Sequence, residues 1–234
     1  MRMKITVSFF VLLVSIVVAT SSCQKERWIN DEQAADIILR SLEQNSGGLA
    51  READLQTTYW MLYLASIPCG DSVQITRNFE YNTGGRSAEV DYVWNIIKHC
   101  QDSEVYLTWR ANFDGTYDFP RVEGSWQGQR NWTATQLSSA FDVWRLQGTE
   151  SRSGSHDSKV RRRQSYESTT ETTYHEVLID KSTRRIVGGS ASSILTVVSN
   201  TGNAHIFNIE TTISEVGIAT VVVNGTSTFT FNLY

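Results

Sequence analysis

Histidine and acidic side chains are the residues of this sequence whose types could support metal binding or proton transfer. His175-Glu176 comes nearest to the helix of a zinc protease, but the residue four positions after His175 is Ile179, where that helix needs a second histidine. The sequence contains no nucleophile elbow, phosphate-binding loop, dinucleotide fingerprint or kinase motif set. We therefore expect no metal, no other cofactor and no enzymatic activity. No two of the four histidines stand at metal-ligand spacing: His99, His156, His175 and His205.

Paired carboxylates can hydrolyse a glycosidic bond, and three acidic residues occur close together at Asp114, Asp118 and Glu123. Their spacing is not specific, because acids that flank a glycine-containing turn usually serve the turn itself. A hydrolase that acts on surface glycans is therefore the third of three functions that we consider. Aromatic residues of the kind that contact sugar rings surround these acids: Trp109, Tyr117 and Trp126.

Tryptophans form a candidate binding surface in the middle of the chain. Exposed tryptophan rings bind sugars or lipids, but a large curved sheet also uses such rings in its core. We favour the core, and the direction in which the rings point decides between the two interpretations. The four tryptophans concerned lie in successive predicted strands: Trp109, Trp126, Trp132 and Trp144.

A basic stretch offers a second candidate binding surface. Its centre is the run Arg161, Arg162 and Arg163, and Arg152 belongs to the same stretch. Such a patch could hold an anionic glycan, lipopolysaccharide or a partner protein. The serine and threonine residues interleaved through 151–173 favour a solvated hairpin tip instead.

The composition is that of one folded unit with no affinity for nucleic acid. The chain has 234 residues, of which 40% are hydrophobic, and its 25 acidic residues outnumber its 21 basic ones. A nucleic-acid-binding protein would carry a strong basic excess, so we exclude that class of partner. Two prolines against 15 glycines, with abundant threonine, serine and valine, favour strands joined by glycine turns.

Residues 1–22 have the pattern of a secretory signal peptide. Arg2 and Lys4 give a basic start, an almost unbroken apolar run extends from Ile5 to Ala19, and small residues follow. A run of about 15 residues falls short of the roughly 20 that a membrane-spanning helix needs. We therefore expect export from the cytoplasm and no permanent transmembrane helix.

The residues after this segment resemble a lipid attachment site. Cys23, directly after small residues, is similar to the lipidated first residue of bacterial lipoproteins, and Gln24, Lys25 and Glu26 resemble the export signal of surface lipoproteins of the Bacteroidota type. The resemblance covers residues 1 to about 27. It implies a lipid anchor on Cys23 in the outer membrane and exposure at the cell surface, with the periplasmic face as the alternative. Ordinary signal-peptide cleavage after Ser21 is the competing interpretation.

The two remaining cysteines, Cys69 and Cys100, should pair in an oxidising compartment. A metal site or a redox pair would call for CxxC spacing or a nearby second histidine, and these two isolated cysteines have neither. Closing the 30-residue loop between them would stabilise the fold by roughly 3 to 4 kcal/mol in the chain-entropy model.

Residues 31–67 form a predicted helical segment behind a tether at 23–30. Asn30 and Gln33 have the spacing of a capping box, and Gly47 with Gly48 ends the first helix. We expect a second helix over 52–67, although 59–65 is apolar enough to be a buried strand. Its predicted apolar face consists of Leu55, Tyr59, Leu62 and Tyr63.

Residues 68–234 form a predicted antiparallel β domain. From Asp71 onward apolar and polar residues alternate with period two, and short turns such as Asn224-Gly225 separate about nine or ten strands. Short turns between successive strands imply a meander. We expect a mainly β fold, bordering on α+β: a large curved sheet or half-barrel with two N-terminal helices packed on one face. A closed lipocalin-like barrel is the alternative, and 31–234 is one structural unit in either case.

The overall pattern resembles the uncharacterised β-rich lipoproteins of Bacteroidota. The first function that we consider is therefore a non-enzymatic, outer-membrane-anchored lipoprotein with a structural or binding role at the cell envelope. Its partners would be the membrane, through Cys23, and a glycan, lipid or protein ligand. The second function is a periplasm-facing carrier of a lipid or other apolar ligand in a pocket between helices and sheet.

Overall fold

The structure is a computed structural model that describes residues 29–234 apart from 102–103, 139, 161–164 and 215–216, and apart from the side chain of Leu62. The signal peptide at 1–22, Cys23, and the export residues Gln24, Lys25 and Glu26 lie outside the described residues. The same holds for Arg161, Arg162 and Arg163. The expectations for these residues stay predictions.

Two helices precede the sheet. Helix α1 spans Asp31–Leu42 and helix α2 spans Leu49–Tyr63, and a short 3-10 turn follows at Leu64–Ser66. The predicted capping box is confirmed, because the Gln33 amide donates to Asn30 Oδ1 at 3.0 Å and the Asn30 amide donates to Gln33 Oε1 at 3.2 Å. The apolar stretch after residue 59 continues α2 as a helix instead of forming a strand.

Ten strands form one antiparallel sheet in which each strand pairs with the next along the chain. This order confirms the predicted meander. In the described part of the chain β1 and β10 are the two edges, and the sheet is not closed. The strands are β1 (Ser72–Thr83), β2 (Arg86–Gln101), β3 (Glu104–Asp118), β4 (Val122–Thr135), β5 (Val143–Ser158), β6 (Ser165–Asp180), β7 (Ile186–Ser199), β8 (Ala204–Ile213), β9 (Ile218–Val223) and β10 (Ser227–Asn232).

The sheet has one buried face and one solvent-exposed face. Side chains of a strand alternate between the two faces, and in β2 every second residue from Ala88 to Ile96 is buried. We call the buried face, on which the helices pack, the inner face and the other the outer face. On the inner face, Trp60 of α2 packs against Trp109 and Trp144 with ring centroids 4.8 Å apart in each case.

Helix α1 lies near the strand edge of β10. The Ser227 hydroxyl of β10 donates to the Asp31 carboxylate, and the backbone amide of Gln44 donates to the carbonyl of Leu233 at 2.8 Å. Glu32 lies 3.6 Å from Arg121 in the turn between β3 and β4. The two helices thus cover the inner face, as the sequence predicts.

The buried side of α2 differs from the predicted one. Tyr63 is 46% exposed, and Tyr59 is only partly buried. The residues that face the sheet are Glu52, Gln56 and Trp60, each 2% exposed. The prediction is therefore wrong for Tyr63, whereas Leu55 and Tyr59 are partly buried against the core. The more deeply buried side of the helix is the one on which Glu52 pairs with a buried arginine of the sheet.

Candidate functional site

The four tryptophans of the predicted binding surface are core residues. Each is between 2% and 4% exposed on the inner face. The rings of Trp109 and Trp132 stack with centroids 5.8 Å apart, and Trp132 stacks on Tyr174 at 4.7 Å. Because α2 and the neighbouring rings cover them, Trp109, Trp126, Trp132 and Trp144 do not form an exposed platform for a ligand.

Four charged residues form an ion cluster inside the molecule: Glu52 of α2, Arg130 of β4, and Glu150 and Arg152 of β5. Arg130 Nε lies 2.6 Å from Glu150 Oε2, and Arg152 Nε lies 2.8 Å from Glu150 Oε1. Arg130 also pairs with Glu52, and the Tyr174 hydroxyl donates to Glu150 at 2.9 Å. Two positive and two negative charges cancel, as buried charges require.

Aromatic rings enclose the two guanidinium groups of the ion cluster. Arg130 lies 4.7 Å from the Phe113 ring centroid, and Arg152 lies 4.2 Å from that of Trp126. Burial raises the pKa of Glu150, but the adjacent Arg130 and Arg152 outweigh it and lower that pKa to about 2. The cluster joins α2 to β4 and β5. The sequence-based grouping of Arg152 with an exposed basic patch is therefore wrong.

A second buried polar group contains a serine next to a histidine. His156 Nε2 lies 2.7 Å from the Ser168 hydroxyl, and His156 Nδ1 contacts the Tyr117 hydroxyl. A nucleophile, a base and an orienting group have this arrangement in hydrolases. Here all three side chains are buried, and burial together with Arg152 lowers the pKa of His156 to about 4. Ser168 is 7% exposed, and Tyr117 and His156 are each 4% exposed, which favours a structural role for the group.

The outward-facing histidines each contact a hydroxyl group. His99 Nε2 lies 2.8 Å from Thr108 Oγ1, and His175 Nε2 lies 2.9 Å from Ser192 Oγ. His175 lies in strand β6, as its local alternation predicts. Among the residues that the structure describes, no group of three histidine, cysteine, aspartate or glutamate side chains could hold a metal ion.

The three carboxylates considered for hydrolysis lie on the outer face, but they are not all close together. Asp118 and Glu123 are directly opposite each other across β3 and β4, and Lys159 pairs with both. Hydrogen bonds that the Lys159 ammonium group donates to the Asp118 and Glu123 carboxylates raise the pKa of Lys159. Asp114 is four residues before Asp118, which is roughly 13 Å along a strand and exceeds the 5 to 9.5 Å between glycosidase carboxylates. The residue opposite Asp114 is Asp91, which the sequence did not single out.

The predicted disulfide is confirmed. Cys69, directly after the helical segment, is bonded to Cys100 near the end of β2, with the two Cα atoms 5.6 Å apart. Lys98 strengthens the same junction, since its ammonium group donates to the carbonyls of Leu64 at 3.0 Å and Ile67 at 2.8 Å. This junction ties the end of the helices to the sheet.

The outer face carries a depression of about 840 Å³ across β2 to β6, which we call the amide groove. Arg110 Nε donates to Asn131 Oδ1 at 3.1 Å within it. The alternation of each strand could have identified these side chains as outward-facing from the sequence, but not the register that brings them together. Its outward-facing lining residues are Asn95, Ile97, Thr108, Arg110, Asn131, Thr133, Gln147, Thr149, Thr173 and His175.

The described residues contain no helix that is both long and apolar enough to span a membrane. Comparison with known proteins gives no relative: no protein-family model, no curated protein and no solved structure matches this chain.

Proposed function

We propose that the protein is a non-enzymatic, lipid-anchored protein of the outer membrane that faces outward and binds its ligand on the outer face of its sheet. The proposed anchor is Cys23, and the proposed export signal is Gln24, Lys25 and Glu26. Two or more acyl chains make such an anchor effectively permanent, because each buried methylene contributes about 0.8 kcal/mol. The folded domain then needs no contact with lipid.

The amide groove is the observation that carries the binding role. It is an open, polar depression within the 300–1,000 Å³ range of ligand sites. The inner face supports the same choice, because closely packed aromatic rings and the ion cluster lie between α2 and the sheet. This packing favours a ligand on the outer face over the carrier hypothesis, which requires space inside.

The position of helix α1 supports an orientation in which the end of β3 that carries Tyr106 faces away from the membrane. Glu32, three residues after Ile29, lies beside Arg121 in the turn between β3 and β4. Five residues lie between Cys23 and Ile29, so the two positions can be at most about 20 Å apart along an extended chain. The β3–β4 turn would therefore face the membrane. Strand β3 is roughly 50 Å long, so Tyr106 near its other end would face away from the membrane.

Metabolic labelling with palmitate tests the anchor. We expect the wild-type protein to incorporate palmitate and to sediment with the outer membrane, and Cys23→Ala to do neither. Ser22→Ala is the matched control, because alanine is also small and leaves the cysteine in place; it should behave as the wild type. Membrane attachment and labelling of Cys23→Ala at the wild-type level would overturn the proposal.

A further inference from the structure

The outer face is divided into two halves of different chemistry. Toward the β3–β4 turn, a depression of about 610 Å³ is lined by hydroxyl and amide groups together with four carboxylates: Glu89, Asp91, Asp114 and Glu167. The amide groove, further along the same strands, has no carboxylate in its lining. Amide and hydroxyl groups dominate there, and its side chains include one guanidinium and one imidazole. The groove is thus nearly uncharged, although acidic residues outnumber basic ones in the chain.

Strand register arranges the polar groups of the groove in a straight row. Asn95 is opposite Arg110, Arg110 is opposite Asn131, Asn131 is opposite Thr149, and Thr149 is opposite Thr173. Adjacent strands are about 4.8 Å apart, so the row is roughly 19 Å long. An extended ligand that crosses the strands would meet a new polar side chain at every strand.

The hydrogen-bonding groups of this row match those of a sugar. Asparagine and threonine side chains each present a donor and an acceptor, as every sugar hydroxyl does. A nucleic acid would require many more basic groups than Arg110 and His175 provide. A protein interface would require large apolar anchors, whereas Ile97 is the single large aliphatic side chain on the outward lining and is 38% exposed.

An aromatic pair lies beyond the groove on β2 and β3, since Tyr106 is four residues from Arg110, which is roughly 13 Å along the strand. Tyr106 stacks on His99 with ring centroids 4.6 Å apart and an interplanar angle of 8°. Tyr106 is half-buried on the outer face, and His99 also contacts the groove residue Thr108. The electron-rich face of an aromatic ring attracts the C–H groups of a sugar ring.

We propose that the amide groove binds a neutral oligosaccharide that crosses β2 to β6 along this row and continues along β3 to Tyr106, where a sugar ring packs against the aromatic ring. The row from Asn95 to Thr173 supplies the hydrogen bonds along the chain. This inference rests on the proposed outer-face binding role and gives the class of ligand for it.

Native affinity electrophoresis of the purified, detergent-solubilised protein tests this site. The probes are four neutral polysaccharides, namely mannan, xylan, β-glucan and galactan, with dextran sulfate as the anionic comparison. We expect at least one neutral probe to retard the wild type. Asn131→Ala and Tyr106→Ala should each weaken that binding about tenfold. Gln127→Ala is the matched control. Gln127 lies on the outer face of β4, as Asn131 does, but lines the acidic depression, so this variant should bind the probe as tightly as the wild type does.

Three results would overturn the proposal: no retardation by any neutral probe, retardation by dextran sulfate alone, or equal binding by the wild type and both groove variants. The substituted side chains lie on the surface, so unchanged thermal unfolding would show that a binding defect is local. Electrophoresis does not depend on where the protein resides in the cell. A failure here therefore leaves membrane attachment intact, and a failure of palmitate labelling leaves sugar binding intact.

Discussion

The position of a charged residue in a strand can predict whether its side chain is buried, as Arg130 and Glu150 of the ion cluster show. Arg130 stands two residues before Trp132 and four after Trp126, so the period of two places it on the inner face with both rings. The same reading places Glu150 inward with Leu146. Alternation alone could thus have identified both charges as buried. It could not have supplied Glu52 as a partner, because that contact depends on how α2 crosses the sheet.

Removal of one charge from the ion cluster should destabilise the fold strongly. In Glu150→Gln, Arg130 and Arg152 lose their shared carboxylate inside the core, and we expect the free energy of unfolding in urea to fall by about 3 to 5 kcal/mol. Glu176→Gln is the control, since Glu176 pairs with Arg145 at 2.9 Å on a half-exposed surface. That change should cost less than about 1 kcal/mol. Equal losses in the two variants would show that the cluster is not a major source of stability.

His156 should make the fold sensitive to mild acid. Its pKa is about 4 in the folded protein and 6.5 ordinarily, so below pH 6.5 the unfolded chain binds a proton that the folded chain does not. Stability should therefore be complete above pH 6.5 and fall by about 3 kcal/mol as the pH approaches 4. Because the pKa of Glu150 is lowered from 4.5 to about 2, the loss of stability continues as the pH falls from 4.5 toward 2.

Urea unfolding at several pH values checks this expectation. His156→Gln keeps a polar side chain that can bond to Tyr117 and Ser168 but does not titrate, so its stability should change less between pH 6.5 and 4 than that of the wild type. His175→Gln, on the exposed outer face, should keep the wild-type slope. If His156→Gln also keeps that slope, another group is responsible.

At the scale of elements, the strands were predictable because their environment is uniform. One face packs on the core and the other meets water, so burial follows the sequence alternation from β2 to β8. The Asn224-Gly225 turn was equally clear, and both residues have the positive φ angles, 52° and 70°, that a primed hairpin turn requires. Helix α2 was predictable in type but not in orientation. Its buried side is polar where it meets Arg130, and no helical periodicity reveals such a partner.

The disulfide should hold the end of the helical segment against β2. In the Cys23→Ala background, Cys69 and Cys100 are the remaining cysteines, so titration of the unfolded protein without reductant should find no free thiol. Reductant should release two thiols and lower the free energy of unfolding by roughly 3 to 4 kcal/mol. Two free thiols before reduction would contradict the bond. An unchanged unfolding free energy after reduction would contradict its stabilising role.

At the scale of the whole molecule, the sequence predicts the meander but not whether it closes. Consecutive short turns determine the strand order. Whether the two edge strands meet to form a barrel depends on the volume of the core that the sheet must enclose. Here the Ser227 hydroxyl of β10 donates to Asp31 of α1, and the Arg51 guanidinium of α2 lies 4.4 Å from the ring centroid of Phe79 in β1, so the helices contact both edge strands. The amide groove likewise depends on register across five strands, which local alternation does not give.

The export residues should determine the side of the membrane that the domain reaches. Replacing Gln24, Lys25 and Glu26 together with alanine leaves Cys23 available for lipid. We therefore expect this variant to stay in the outer membrane but to resist protease added to intact cells. Protease treatment after the outer membrane is opened should then digest it. Digestion of this variant on intact cells would show that the three residues do not direct export.

Protease treatment of intact cells that express the wild type, with an antibody against the domain, tests surface anchoring most directly. We expect the domain to be digested while a periplasmic marker protein stays intact, and we expect Cys23→Ala to be absent from the membrane fraction. Protection of the wild-type domain until the outer membrane is opened would contradict surface display and would place the outer face of the sheet in the periplasm.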